Sequence, residues 1–200
     1  MEKSVNASFI QRFLAFMIDT FLVSFIVSLI AFPFMDNDSL ENLALESSRV
    51  IEDFSENKID AKTYVTESID IVFNVVKQQG VSSLISLFIT VVYFVIFQFK
   101  KGGQTIGKKL MKIKVVSANG EELTFNNYIF RTMIINSLFI NMVLFALMMI
   151  DNSKVYFIGT LICNFVNFIV MVCNAIMVIS TKSGRGLHDL AANTKVVRCC

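Results

Sequence analysis

The sequence predicts an all-α membrane protein: a bundle of four transmembrane helices with both termini on the cytoplasmic side. Three observations carry that expectation. Hydrophobic residues make up 54% of the 200-residue chain and charged ones only 17%, against roughly 25% charged in soluble domains. Four stretches stay apolar over about the 20 residues that a helix needs to cross a bilayer core. Between those stretches the charges are sorted by sign.

The first span covers about 13–34 and ends near Pro33, the one proline of the chain. The second, 81–99, contains no charged residue. Only Asp151, Asn152, Ser153 and Lys154 separate the third, 133–150, from the fourth, 155–179. A link so short and polar predicts a tight antiparallel helical hairpin. The N-terminus lacks the basic region and small-residue cleavage site of a secretory signal, so the first span is expected to be retained. The chain, 1–200, reads as a single membrane domain.

Charge sets the direction. Segment 35–80 holds ten acids against four bases, a net of −6; segment 100–132 holds seven bases against two acids, a net of +5. The tail after Ile179 adds four bases against one acid. Lys and Arg near span ends stay cytoplasmic, so 100–132 and both termini are expected inside, in a bacterial plasma membrane, with 35–80 outside. Helical spacing of Leu40, Leu43, Val50, Ile51 and Phe54, and again of Val65, Ile69, Val72, Phe73 and Val76, predicts one or two helices in that acidic segment. After the second span, "KIKVVSANGEELTF" (112–125) alternates and turns at Asn119-Gly120, which predicts a short cytoplasmic β-hairpin.

Several function classes fall away. "GGQTIGKK" (102–109) carries most of a phosphate-binding loop. However, Lys109 stands where a Ser or Thr would hold magnesium, and a membrane helix rather than a strand precedes it. Its lysines, with Lys100 and Lys101, read instead as anchors at the anionic membrane surface, each worth about 1 kcal/mol. A net charge of +2 offers no footing for nucleic acid. Cys163 and Cys173 lie in an apolar run and Cys199 and Cys200 end the chain; with one histidine, His188, they make neither a disulfide framework nor a zinc site. No nucleophile has an adjacent base, so neither an enzyme nor a cofactor is expected.

Asp19, in "RFLAFMIDTFLVSF" (12–25), lies at hydrocarbon depth, where a carboxylate must face the bundle interior and find a partner. Arg12 lies seven residues earlier on the same face, about 10 Å away. Arg185, His188 and Asp189 follow the fourth span in "GRGLHDLAANTKVV" (184–197). Together with "ASFIQRFLAFMIDTFLV" (7–23) and "GGQTIGKKLMKIKVV" (102–116), this stretch resembles the RDD family of integral membrane proteins, named for an arginine and two aspartates. Arg12, Asp19 and Asp189 match those signature residues, and Arg131 matches an arginine that opens the next helix. Asn193 stands where the family has glycine. The resemblance implies a bundle of a few spans that moves a ligand or ion.

Polar stripes support the bundle. Asn164, Asn167 and Asn174 share a face of the fourth span; Asn136 and Asn141 lie on the third, Ser83, Ser86 and Thr90 on the second, and Thr20, Ser24 and Ser28 on the first. The expected function is a small transporter of a cation or proton, working as a homo-oligomer. Asp19 would titrate, Arg12 or Arg131 would tune it, and Asp189 would be a gate. The alternative is a non-transporting scaffold or assembly factor in which these residues form a structural ion-pair network.

Overall fold

The computed structural model describes residues 5–181 and 184–199. Lys182 of the basic tail and Cys200 of the terminal cysteine pair lie outside the described residues. Helix α1, Phe9–Ala31, starts one turn earlier than its apolar run, because Ser8 and Gln11 form a capping box at its N-terminus. A 3₁₀ turn, Phe32–Phe34, with Pro33 inside it, ends the span. The acidic segment is a helical hairpin, α2 (Asn37–Ser55) and α3 (Ala61–Gln78), each capped by an aspartate, Asp36 and Asp60. Its helices close over Leu43, Val50, Ile71 and Phe73 and stack Phe54 on Tyr64 at 4.5 Å. Ten acids therefore coexist with an ordered apolar seam.

The second span is continuous from Gly80 to Lys100, as α4 (Gly80–Val91), a π-helical turn (Val92–Phe97) and α5 (Gln98–Lys100). The π turn buries Tyr93, Phe94 and Val95 in succession. It lets Tyr93 face α1 while the Phe94 carbonyl accepts from Thr132 at 3.4 Å. Such turns recur where a helix must aim a side chain off its regular face.

The third span departs from the single straight helix expected over 133–150. Its residues belong to two helices, α7 (Phe125–Ile135) and α8 (Leu138–Met149), bent by 67°. The cause lies at Asn136-Ser137, where Ser137 adopts a left-handed conformation (φ 52°) and donates to Asn167 at 2.6 Å. Asp151 (φ 57°) and the Asn152 cap then turn the chain tightly into α9, Ser153–Ser180, as the short polar link predicts. Among the described residues three helices are thus long and apolar enough to cross a membrane, or four if the bent pair is one span. Helix α1 packs on α4, α4 on α8, and α8 on α9, while α9 has no fully buried residue.

The stripes do not all turn inward. Thr20, Ser24 and Ser28 are exposed, and the Ser28 hydroxyl returns to its own helix at the Ser24 carbonyl, 2.9 Å away. Asn164 is exposed as well. An outward hydroxyl can bond its own helix, so polar residues on a span need not mark its interior.

The predicted local β-hairpin is not formed. Strand β1 (Ile113–Ser117) pairs antiparallel with β2 (Thr194–Arg198), opposing Val115 to Val196. Only Gly120 of the expected turn has a positive φ, whereas a type I′ turn needs two. Two apolar alternations, "IKVVS" and "TKVVR", find each other because the local return, "EELTF", is acidic. The N-terminus covers the other edge of β2, with the Ala7 N–H donating to the Val196 carbonyl at 3.0 Å. Ala7, Ala15, Ile113, Val115 and Val196 form the resulting core. Val196→Asp should cost about 3 kcal/mol by burying an unpaired charge, lowering the unfolding temperature in detergent by roughly 6–12 °C. A tolerated substitution would mean that β2 is not part of the core.

Candidate functional site

Polar residues of α1 and α7 meet those of the "GGQTIGKK" loop and the C-terminal segment at the basic end of the bundle. The short helices α6 (Ile106–Leu110) and α10 (Leu187–Ala191) dock there and build two clusters.

The first surrounds Asp19, which is 1% exposed. Its Oδ1 accepts from the Tyr93 hydroxyl at 2.6 Å and from the Gly107 N–H at 2.7 Å, and its Oδ2 accepts from the Thr105 hydroxyl. Thr105 also caps α6, and the Tyr93 oxygen accepts from the Ile106 N–H at 3.1 Å. Gly107 is required by close approach: a Cβ there would collide with the Ala15 carbonyl and press on the Asp19 carboxylate. The expectation that Arg12 or Arg131 attends Asp19 is therefore corrected. Its partners are hydroxyls and one amide, supplied by the π turn and by α6 with its cap.

Both arginines go to Asp189, which is fully buried. Arg12 Nη1 lies 2.9 Å from Oδ2, and Arg131 pairs with Oδ1. The Thr194 hydroxyl also donates to Oδ1, at 3.2 Å, and the Gly186 N–H to Oδ2, at 3.3 Å. Arg12 further reaches the carbonyls of Ala7 and Val196 at 3.3 Å each. Arg185 donates to the carbonyls of Thr194 at 2.9 Å and Asp189 at 3.3 Å. Burial alone would raise the Asp189 carboxyl, but Arg131 and Arg12 outweigh it and hold the group well below the usual carboxylate range.

His188 is buried beside this cluster. Asn174 Oδ1 accepts from its backbone N–H at 3.2 Å and from Nδ1 at 2.9 Å, an arrangement that puts the imidazole proton on Nδ1. Burial, then the repulsion of Arg131, pushes its pKa down to about 3, so the ring is neutral. The asparagine face of α9 thus divides: Asn174 orients His188, Asn167 holds the Ser137 break, and Asn164 faces outward.

Lys108 is the residue the sequence misplaces. It turns inward, and Nζ donates to Gln98 Oε1 at 3.2 Å, while the buried Gln98 donates to the Gly103 carbonyl at 3.3 Å. Desolvation, then Arg131, lowers its pKa to about 7, against the pull of Asp19 and Asp189. Sequence reading misses Tyr93, Gln98, Thr105, Gly107 and Lys108. Two signals were available: in the second span Tyr93 is the one tyrosine, and Gln98 the one side-chain amide, each set among apolar neighbours.

Two consequences are measurable. Asp189→Asn leaves two buried guanidinium groups without a counter-charge and should destabilise the protein by about 3–5 kcal/mol, read by thermal unfolding in detergent. For Lys108, the folded pKa lies below the unfolded 10.5. Between pH 7 and 10 the unfolded chain holds a proton that the folded one lacks, so this group makes stability rise with pH across that window. Lys108→Met should remove that part of the slope; an unchanged slope would show that the amine titrates normally.

The RDD family profile matches residues 6–193. No curated protein matches the chain, and neither does any solved structure. The match takes in α1 with Arg12 and Asp19, the "GGQTIGKK" loop, Arg131 on α7 and Asp189 on α10, nearly the whole molecule. The chain belongs to the RDD family.

Proposed function

We propose that this integral membrane protein is a small transporter of a proton or other small cation, with Lys108 rather than Asp19 as its exchanging group. The carrying observation is the contrast in how the ionisable groups of this end are held. Asp19 and Asp189 have their oxygens filled by protein donors, which leaves little to offer a mobile cation. Lys108 has a single acceptor, Gln98, and a pKa of about 7, where proton gain and loss are both easy. Asp19 then serves to dock α6, the element that carries Lys108.

The basic end faces the cytoplasm in this reading, with both termini inside, four spans and the acidic hairpin outside, since positive charge near span ends is retained inside. The plasma membrane is the proposed location, and the protein has no catalytic role. A chain this small would work as a homo-oligomer.

A second reading, a scaffold or assembly factor, draws on the saturated Arg12–Asp189–Arg131 network and on α9, which offers a long uncovered face to a partner.

Reconstituted liposomes separate the two. Under a pH gradient the wild type should pass protons, and Lys108→Met should lower that flux about tenfold while the protein stays monodisperse. Asp19→Asn should lower thermal stability first. No flux above empty liposomes would favour the scaffold, and full flux in Lys108→Met would remove the lysine from the mechanism. Native mass spectrometry should find a dimer or larger; a monomer would refute the oligomer.

A further inference from the structure

A separate feature lies in the other half of the molecule. A cavity of about 320 Å³ opens between α3, α4, α8 and α9. Ser82, Ser83, Ser86 and Thr90 line it from α4, Asn141 from α8 and Tyr156 from α9. Thr90 lies ten residues into a 21-residue span, about 15 Å at 1.5 Å per residue. The cavity therefore runs from the acidic end to about the middle of the bilayer core.

Most of its side-chain polar groups make no hydrogen bond within the fold. Ser83 returns its hydroxyl to the Gln79 carbonyl at 3.0 Å. Among the described residues, the side chains of Ser82, Ser86, Thr90, Asn141 and Tyr156 have no hydrogen-bond partner within the protein. Glue between helices would consist of such groups bonded to one another; here they converge on a space instead. The lining hydroxyls and the Asn141 amide are not sealed by protein: among the described residues the buried side-chain atoms without a partner are Gln78 Oε1 and Thr160 Oγ1, neither of them from a residue of the lining, so the lining groups are open to a hydrogen-bonding occupant. The volume could hold about ten waters at 30 Å³ each and lies within the range of small-molecule sites, about 300–1,000 Å³.

The lining also restricts what can bind. No charged side chain lines the cavity, and Lys77 and Asp151 at this end neutralise each other at 2.6 Å. A charged ligand would shed its hydration without a counter-charge. Hydroxyl and amide groups both donate and accept, which matches a solute whose own groups do the same. Phe145, Met148 and Leu87 supply apolar wall for its carbon skeleton. We infer that this cavity is an aqueous binding site for a small uncharged polyol. The inference goes beyond the proton reading, and it identifies a solute whose movement a proton could drive.

The test uses single cysteines in a full-length chain whose four native cysteines are replaced by serine. Ser86→Cys and Thr90→Cys face the cavity; Leu84→Cys and Phe88→Cys, 50% and 71% exposed on the outer side of the same helix, are controls at the same depth. A thiol reacts as its thiolate, which forms only in water, so the first pair should react with a charged methanethiosulfonate about tenfold faster than the second. Glycerol or sorbitol at saturating concentration should slow the first pair about threefold or more, and equally osmotic NaCl should not. Equal rates in both pairs would overturn the aqueous cavity. Fast labelling slowed by NaCl alone, or by neither solute, would overturn the polyol. Gel filtration of each variant identifies any that fails to fold, and the two cavity positions report independently. Neither readout needs transport, so a failed flux assay leaves this test intact.

Discussion

The Asp189 carboxylate is the point from which the basic end of the molecule is organised. Arg12 comes from the first helix and Arg131 from the seventh, and Thr194 from the last strand, and all three donate to its two oxygens. Bringing three charges out of water carries a large desolvation penalty, and the attraction between them offsets it only when the geometry is complete. Such a cluster tolerates no partial assembly. It therefore sets the positions of α1, α7 and α10 together, and Arg12 extends that constraint to the N-terminal segment and β2 through the carbonyls of Ala7 and Val196.

Asp19 solves a similar problem by other chemistry. Two hydroxyls and a backbone N–H fill its oxygens, and among the described residues no cation forms an ion pair with them. That choice ties the short helix α6 to α1, because Thr105 caps α6 and Gly107 lies in its first turn. The π turn that aims Tyr93 and the glycine that permits close approach are both local irregularities serving this one contact. Lys108, on the same short helix, turns back onto Gln98, where it interacts electrostatically with both Asp19 and Asp189. Its single partner makes it the loosely held charge of a region otherwise saturated with hydrogen bonds. The cavity of the opposite half presents the reverse case, with many neutral polar groups and few bonds between them.

Much of this was legible in the residues. Asp19 had to be buried and partnered at its depth, and it is. The capping aspartates Asp36 and Asp60, the tight turn before α9 and the helices of the acidic segment follow from local rules. Partners were harder to read, since distance along the chain says nothing about which of two arginines reaches which aspartate. The strand at 113–117 was visible as an alternation, but its partner lay about 80 residues away. The outward stripe of Thr20, Ser24 and Ser28 misleads for a related reason: periodicity defines a face without saying what the face meets.

What the sequence determined by itself was the set of apolar spans, the sorting of charge between the two ends, and the family, because hydrophobicity and signature residues are properties of short stretches. The tertiary structure alone decided the break at Asn136-Ser137, the pairing of β1 with β2, the separation of Asp19 from the arginines, and the inward turn of Lys108. Each of those depends on which elements pack together. The free energy of a buried polar group is set by the neighbours that folding brings to it, and the chain order does not name them.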